Sequence, residues 1–357
     1  MQKVLQVCAY GSEYSGNFIQ SLRELENELK KKNIQTIYAF CEKAKNKEWC
    51  KEIQNRTEVF FLPEAKARIL PRTYQIFRKI YRDKSIIAVH SHFELYDIPS
   101  TLMAPRNMKI FWHLHDPINT QDGLRSILWK LQYGYVSKRA FLISVSDFYR
   151  RKVIKLGVNE QNTCVLLNGI DLNRVSLDLV NENKEFDFLT FGWDFYRKGD
   201  DLIIQACKKL CQEGYKFNLL INGNENTWDV LDEYLHGENL PFLTKGNPTK
   251  NVADLFAKSK VFIQASRKET FSYAVCEAAY AGLPIISSDI SGLEWAHDLS
   301  TVSFFPSEDV DMLYAIMKNY LDGVTFTDDE IENTKNIIRE KYSIKAWCEK
   351  MLDIYNF

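Results

Sequence analysis

A surplus of charge of one sign is missing from this chain. Its 357 residues carry 46 lysines and arginines against 47 aspartates and glutamates, a formal net charge of −1. That balance argues against a chain-wide nucleic-acid footprint, although a local basic face can still exist. Long apolar runs are missing too. The opening stretch MQKVLQVCAYGSEYSG is too short in apolar residues for a secretory signal, and no later stretch is apolar for long enough to span a bilayer. The expectation is a cytoplasmic protein whose contact with the inner face of the cell membrane would be peripheral. The eight cysteines lack metal or redox spacing. Cys41 and Cys50 are too far apart for a ligand pair, and Cys207 and Cys211 lie one helical turn apart, so the set reads as small buried hydrophobes in a reducing compartment. Repeats of solenoid period and low-complexity tracts are absent as well.

What is present is an alternation. A chain of this length is longer than one hydrophobic core usually serves, so two domains are expected. Short runs rich in β-branched and aromatic residues (KVLQVCAY, IQTIYAF, EVFFL, SIIAVHSH, KIFWHLHD, AFLISVS) alternate with segments of helical period, which predicts a parallel sheet flanked by helices. Phe18, Leu22, Leu25 and Leu29 form one such helical stripe. Asn168-Gly169 is a turn signal, the polar tract SLDLVNENKEFD follows, and the alternation restarts with FDFLTFG, KFNLLING, KVFIQAS and LPIISSD. The boundary therefore falls between domains of residues 1–168 and 169–342. Residues 343–357 read as a closing helix that can pack back on the first domain. Ligands in such sheets bind beyond the carboxyl ends of strands.

Two glutamates stand out in ETFSYAVCEAAYAGLP. Glu277 sits among Ala274, Val275, Cys276, Ala278, Ala279 and Ala281, where an unpaired charge is costly. Glu269 follows a strand, and Phe271, Ser272 and Tyr273 would begin a helix whose free N–H groups suit a phosphate. Glu277 could accept hydrogen bonds from a diol such as a ribose. Equally, it could pair with an internal Arg or Lys, and Glu269 could be an ordinary loop charge.

The segment FIQASRKETFSYAVCEAAYAGLPIISSDISGLEW resembles the signature of the retaining glycosyltransferases of GT-B fold, in particular glycosyltransferase family 4 (glycosyl transferases group 1). Glu269 and Glu277 match its E-x7-E pair, and Ala281, Gly282 and Pro284 its A-x-G-x-P turn. Asn168, Gly169, Ile170 and Asp171 are similar to the family's N-G-(I/V)-D interdomain segment, and FGWDFYRKGDDLIIQA to its G-R-L-x-x-x-K-G element. The resemblance implies two doubly wound, Rossmann-like α/β domains facing each other across a cleft. It implies transfer of a sugar from a UDP- or GDP-linked donor to a glycan or lipid-linked glycan hydroxyl with retention, as in polysaccharide biosynthesis, and no required cofactor.

The resemblance also implies roles. Lys198 matches the lysine that faces the diphosphate, while Trp193 stands where its arginine partner is expected, so Arg197 or Arg267 would have to substitute. Glu277 would hold the ribose and Glu269 would lie near the donor sugar, with Thr270, Phe271 and Ser272 beside it; Thr270 replaces the usual glycine. Gly11 matches the loop after the first strand. His115, in FWHLHDP, resembles the T-x-H-D histidine near the reacting centre, its plainer alternative being a histidine hydrogen-bonded at a strand end.

Three other features carry alternatives. His90 with His92, and His113 with His115, place imidazoles two apart on one strand face, the geometry of metal-ligand pairs. A metal-dependent hydrolase built on them would lack a complement of carboxylate ligands and leave the second half of the chain without a role. Asp309 and Asp311 imitate a D-x-D metal motif but read as acids at a helix start, so no metal site is assigned. Trp193 keeps open a non-catalytic, sugar-binding or chaperoning partner of another transferase. Lastly, Lys66, Arg68, Arg72, Arg78, Lys79, Arg82 and Lys84 are interleaved with apolar residues. This is a solvated helix face over a packed one, or a surface for anionic lipid.

Overall fold

The computed structural model describes residues 1–115, 124–175 and 184–357, with the side chains of 124–128 left out. The Asp116 and Pro117 of FWHLHDP and most of the polar tract after Val175 lie outside the described residues. The chain divides into two compact units, Met1–Asn168 with Trp347–Phe357, and Gly169–Ala346.

The first unit is built on a parallel sheet of seven strands: β1 (Gln2–Cys8), β2 (Ile34–Cys41), β3 (Val59–Leu62), β4 (Ile86–His92), β5 (Lys109–Leu114), β6 (Phe141–Ser144) and β7 (Thr163–Val165). They are arranged in the order β3-β2-β1-β4-β5-β6-β7. The second holds six: β8 (Phe186–Phe191), β9 (Leu219–Asn222), β10 (Leu243–Gly246), β11 (Ser259–Gln264), β12 (Ile285–Asp289) and β13 (Val302–Pro306), in the order β10-β9-β8-β11-β12-β13. Every run read as a strand from sequence is one. Three strands have no such run, β7, β10 and β13, and all three lie at sheet edges. An edge strand has a neighbour on one side only, so its residues need not be continuously apolar: β10 reads Leu-Thr-Lys-Gly with Thr244 and Lys245 exposed.

Each unit has its own core. Trp112, Tyr38, Phe40, Phe77 and Tyr133 are fully buried in the first, and Trp112 Nε1 donates to Thr101 Oγ1 at 2.9 Å, which satisfies the one polar atom the indole brings inside. Phe188, Ile203, Ile204, Leu219 and Ile263 fill the second. In the helix Gly16–Lys31 the stripe Phe18, Leu22, Leu25 and Leu29 is buried. The closing segment forms a helix, Ile344–Tyr355, whose residues from Trp347 onward belong to the first unit. The helix Pro71–Ile80 buries Thr73, Phe77 and Ile80 and exposes Arg72, Arg78 and Lys79. Asp309 caps the helix Val310–Leu321 by accepting from Met312 N at 2.9 Å. Among the described residues no helix is long and apolar enough to cross a membrane.

In both sheets the strand order reverses direction once, between β1 and β4 and between β8 and β11. Loops leaving the carboxyl ends of two such strands part to opposite sides and leave a crevice. Gly11 follows β1, Arg197 and Lys198 follow β8, and Arg267, Glu269, Thr270, Phe271 and Ser272 follow β11.

Candidate functional site

The loop leaving β8 runs through Gly192, Trp193 and the single-turn helix Phe195–Lys198; the loop leaving β11 runs from Ala265 to Ser272. Close backbone approaches hold the two together. Gly199 has φ +75°, and a Cβ there would overlap the carbonyl of Ala265, so only glycine lets the strands' exits meet. Arg267 N donates to Arg197 O at 2.9 Å. A Cβ on Gly292 would likewise overlap the carbonyl of Glu269.

This scaffold brings Glu269 and Lys198, 71 residues apart in sequence, into one ion pair: Lys198 Nζ donates to Glu269 Oε1 at 2.7 Å, with both side chains largely buried. The same oxygen accepts from Ser266 Oγ at 3.0 Å, and from Arg197 Nη1 and Gln264 Nε2 at 3.3 Å. Two cations thus converge on one carboxylate at the sheet's switch point. Arg197 is shared, its Nε also donating to Asp194 Oδ2 at 2.9 Å, and a polyanionic ligand that takes the place of Glu269 could draw on both cations. Arg267 is differently placed. Its guanidinium is bidentate to Asp201, 2.8 Å to each oxygen, donates to Glu308 at 2.8 Å and also bonds the carbonyl of Tyr196. Its charge is matched within the fold. Trp193 is 44% exposed, an aromatic face on the same loop as Lys198.

The helix after β11 is Tyr273–Tyr280, with Ser272 as its cap rather than its first residue. Ser272 sits at φ +62°, a conformation that serine adopts only under constraint. Its hydroxyl accepts from Val275 N at 3.4 Å and donates to Gln264 Oε1 at 3.2 Å. Phe271 is buried, stacked on Trp295 at 4.9 Å, and its carbonyl accepts from Trp295 Nε1 at 2.7 Å. It can therefore offer a ligand only its backbone. Thr270 is half-buried beside Glu269.

Glu277 is buried, and its Oε1 lies 3.4 Å from Arg174 Nε. The internal partner that the sequence left open is thus present. Arg174 ends a short helical turn, Leu172–Arg174, which is capped by Asp171 Oδ1 accepting from Asn173 N at 3.1 Å. That turn is fixed by Ile170, whose N–H donates to Tyr342 O at 2.8 Å and whose carbonyl accepts from Ile344 N at 3.0 Å. Gly169 is required beside it because a Cβ would fall 2.7 to 2.9 Å from the backbone of Ser343 and Ile344. With 26% of its side chain exposed, Arg174 leaves Glu277 next to a cation that solvent or a ligand can reach.

In the first unit Gly11 follows β1, and a Cβ there would lie 2.8 Å from Lys43 Cβ. His115 follows β5; its Nε2 is 3.0 Å from His92 Nδ1, and the Asn168 side chain hydrogen-bonds the same ring. Burial pushes its pKa down to about 3, so it is neutral at physiological pH. The parallel register of β4 and β5 stacks the two H-x-H pairs, with ring centroids 5.4 Å apart for His90 and His113 and 5.3 Å for His92 and His115. His90, His92 and His113 bring ligand atoms to within 4.8 Å of one another. A tetrahedral zinc needs nitrogens about 3.3 Å apart, both nitrogens of His92 already hold hydrogen bonds, and among the described residues no carboxylate joins the group. The group is only partly hydrogen-bonded, since His90 Nε2 and both nitrogens of His113 are buried without a partner among the described residues, and its spacing is wider than a zinc site needs.

Sequence reasoning missed Arg174, Ser266, Gln264 and Asp201. Only Arg174 carried a signal, its place six residues after Asn168 in the interdomain segment.

With this geometry in hand, comparison with known proteins places the molecule among glycosyltransferases of GT-B fold. It is similar over 99% of its length, and 97% of the other chain, to a glycosyltransferase from Rickettsia africae ESF-5, with a TM-score of 0.81 at 17% identity. Over the full length of both chains it is similar to HepE from Anabaena, solved in complex with UDP and glucose, with a TM-score of 0.77 at 14% identity. The family description Glycosyltransferase Family 4 matches residues 20–174, and Glycosyl transferases group 1 matches residues 177–337. The chain belongs to this glycosyltransferase family. The gpi3 subunit of phosphatidylinositol N-acetylglucosaminyltransferase from Schizosaccharomyces pombe is 24% identical over 276 residues, 74% of this chain. The match spans 60% of that relative's length.

Proposed function

We propose that the protein is a retaining transferase that moves a sugar from a nucleotide-diphosphate donor to a hydroxyl of a glycan or lipid-linked glycan. The observation that carries this reading is the convergence of Lys198 and Arg197 on Glu269 at the β8/β11 switch point. Donor diphosphate would take up these cations by charge-assisted hydrogen bonds, and they would stabilise the charge that grows on the phosphate as the glycosidic bond breaks. Glu269 would then be released to the sugar. Glu277 would hold the ribose diol beside its partner Arg174; Ser272 and the backbone of Thr270 and Phe271 would line the donor. Gly11 and His115, in the first unit, keep the roles that the family resemblance implies for them, with His115 as a neutral hydrogen-bonding group. Retention would follow from the acceptor attacking the face that the diphosphate leaves, the phosphate taking the acceptor proton.

A lipid-linked acceptor is supported by the exposed Lys66, Arg72, Arg78, Lys79, Arg82 and Lys84 around Ile69, which is 74% exposed. A relative named for phosphatidylinositol is consistent with it. UDP as donor nucleotide is supported by the likeness to HepE, and we place the protein in the cytoplasm against the inner membrane face. Trp193 favours a second reading, a sugar-binding partner without turnover.

The test is a panel of UDP- and GDP-sugars, read by thermal shift and by slow hydrolysis or transfer, on the wild type and Lys198→Ala. Turnover that drops 100-fold or more in the variant is expected, a loss typical of removing one charge-stabilising donor. A thermal shift without turnover supports the partner reading, and no response to any donor refutes both.

A further inference from the structure

We propose that the side-chain amide of Gln264, the last residue of β11, is a positioning group of the donor site: its two ends hold Glu269 and Ser272 in their places at once. The consequence for transfer rests on the reading of Glu269 and Ser272 as donor-site groups; the brace itself does not.

The direction of the amide is fixed by a group that can only accept. Gln264 Nε2 lies 3.3 Å from Glu269 Oε1 and also bonds Ser266 Oγ, which itself donates to Glu269 Oε1 at 3.0 Å. A carboxylate paired with Lys198 has no hydrogen to give, so the amide nitrogen faces it. Turning the amide over would set two oxygens against each other at 3.3 Å, and the one Ser266 proton could not serve both. Gln264 Oε1 is therefore the end that meets Ser272 Oγ, 3.2 Å away. An amide oxygen only accepts, so Ser272 spends its proton on Gln264 and a lone pair on Val275 N at 3.4 Å. Its backbone, not its hydroxyl, is left to face the donor. Gln264, Ser266 and Ser272 are all buried, so little water is at hand to replace these bonds.

This supplies the constraint on Ser272. At φ +62° a side chain is disfavoured, and the bond to Gln264 offsets that cost. One amide thus couples two features of a single loop: the carboxylate that meets Lys198, and the start of the helix Tyr273–Tyr280 with the Thr270 and Phe271 backbone before it. A separate contact fixes the exit of β11 without touching the amide. Ser288 Oγ, on β12, donates to the carbonyls of Ser266 and Gln264 at 2.6 and 3.3 Å.

The test compares Gln264→Leu, Ser272→Gly and the double variant of the full chain, by thermal unfolding without donor and by steady-state kinetics. Gln264→Leu nearly keeps the volume and removes the amide. Its unfolding midpoint should fall by about 4 °C or more. Its kcat should fall about tenfold as Glu269 loses its seat, and its donor KM should rise about fivefold as Ser272 relaxes. Glycine takes φ +62° unaided. Adding Ser272→Gly to Gln264→Leu should therefore restore donor KM while kcat stays low, and should affect the midpoint more favourably there than in the wild type. Ser288→Ala is the control: it should lower the midpoint and leave kcat and KM within about twofold, the lower end for one lost hydrogen bond. Additive midpoints, a double variant whose KM stays raised, or an equal kinetic loss in Ser288→Ala overturns the inference. Non-additive midpoints with unchanged kinetics would leave the brace standing and remove Glu269 and Ser272 from the donor site. A wild type that turns over no donor would refute the proposed function, and the midpoints, which need no donor, would still decide the brace.

Discussion

Asp200 offers a sharp test of the second unit's electrostatics. It opens the helix Asp200–Gln212 directly after Lys198 and Gly199, is fully buried, and neither carboxyl oxygen has a hydrogen-bond partner. Its carboxyl presses on Gly192, where a Cβ would overlap Oδ2. Burial, followed by the smaller opposing pull of Lys198, sets its pKa at about 8. Between an unfolded value of about 3.9 and this folded one, the native state holds a proton that the unfolded chain has lost, so stability falls as pH rises, by about 1.4 kcal/mol per unit. Over some four units the ceiling is about 5 kcal/mol; relaxation of the site and water entry reduce this to about 2 kcal/mol. Asp200→Asn keeps the shape and cannot ionise. It should match the wild type near pH 4 and exceed it at pH 8.5 by about 2 kcal/mol, which is roughly 4 to 8 °C in the midpoint for a unit of this size. The assay is calorimetry across that range. A stability difference that does not change with pH would refute the reasoning, because it would mean that Asp200 is ionised and paired in the fold.

Four buried histidines act in the opposite direction. His90, His92 and His113 are held well below the ordinary value and His115 at about 3, all by burial. Below about pH 6.5 the unfolded chain binds protons that the native rings refuse, so the first unit should lose stability steeply as pH falls from 6.5 to 5, by circular dichroism, and transfer should show no histidine ionisation above that window. Glu277→Gln should raise donor KM about tenfold while kcat changes little, measured by steady-state kinetics; equal loss of folding and activity would reassign Glu277 to the Arg174 pair alone. Gly292→Ala should displace Glu269 and cost about 1 to 3 kcal/mol by chemical denaturation; an unaffected variant would show that the approach is loose. Liposome sedimentation should show preference for anionic lipid, and Arg78→Glu with Lys79→Glu should abolish it.

What the sequence revealed depended on whether a side chain's role is local. The interior strands were legible because both faces of a central parallel strand are covered, and their apolar runs follow from that. β7, β10 and β13 were not, because edge residues such as Thr244 and Lys245 answer to solvent. Glu269 and Glu277 could be picked out as charges in apolar surroundings, but their partners could not. Lys198 and Arg174 meet them across 71 and 103 positions, by way of glycine contacts that leave no periodic trace. The H-x-H pairs announced a shared strand face; that His92 would spend both nitrogens on Gln6 and His115 depended on sheet order, which puts β1 beside β4 and β4 beside β5.

The first unit is assembled from both ends of the chain, residues 1–168 and 347–357. A ribosome adding about 5 to 20 residues per second therefore leaves its sheet waiting about 10 to 35 seconds, while Gly169–Ala346 is made, before the helix that covers Gln6 and His90 emerges. During that interval the nascent domain exposes polar core atoms and the apolar surface around them to chaperones, and its native hydrogen-bond pattern cannot close until residues 347–357 have been made.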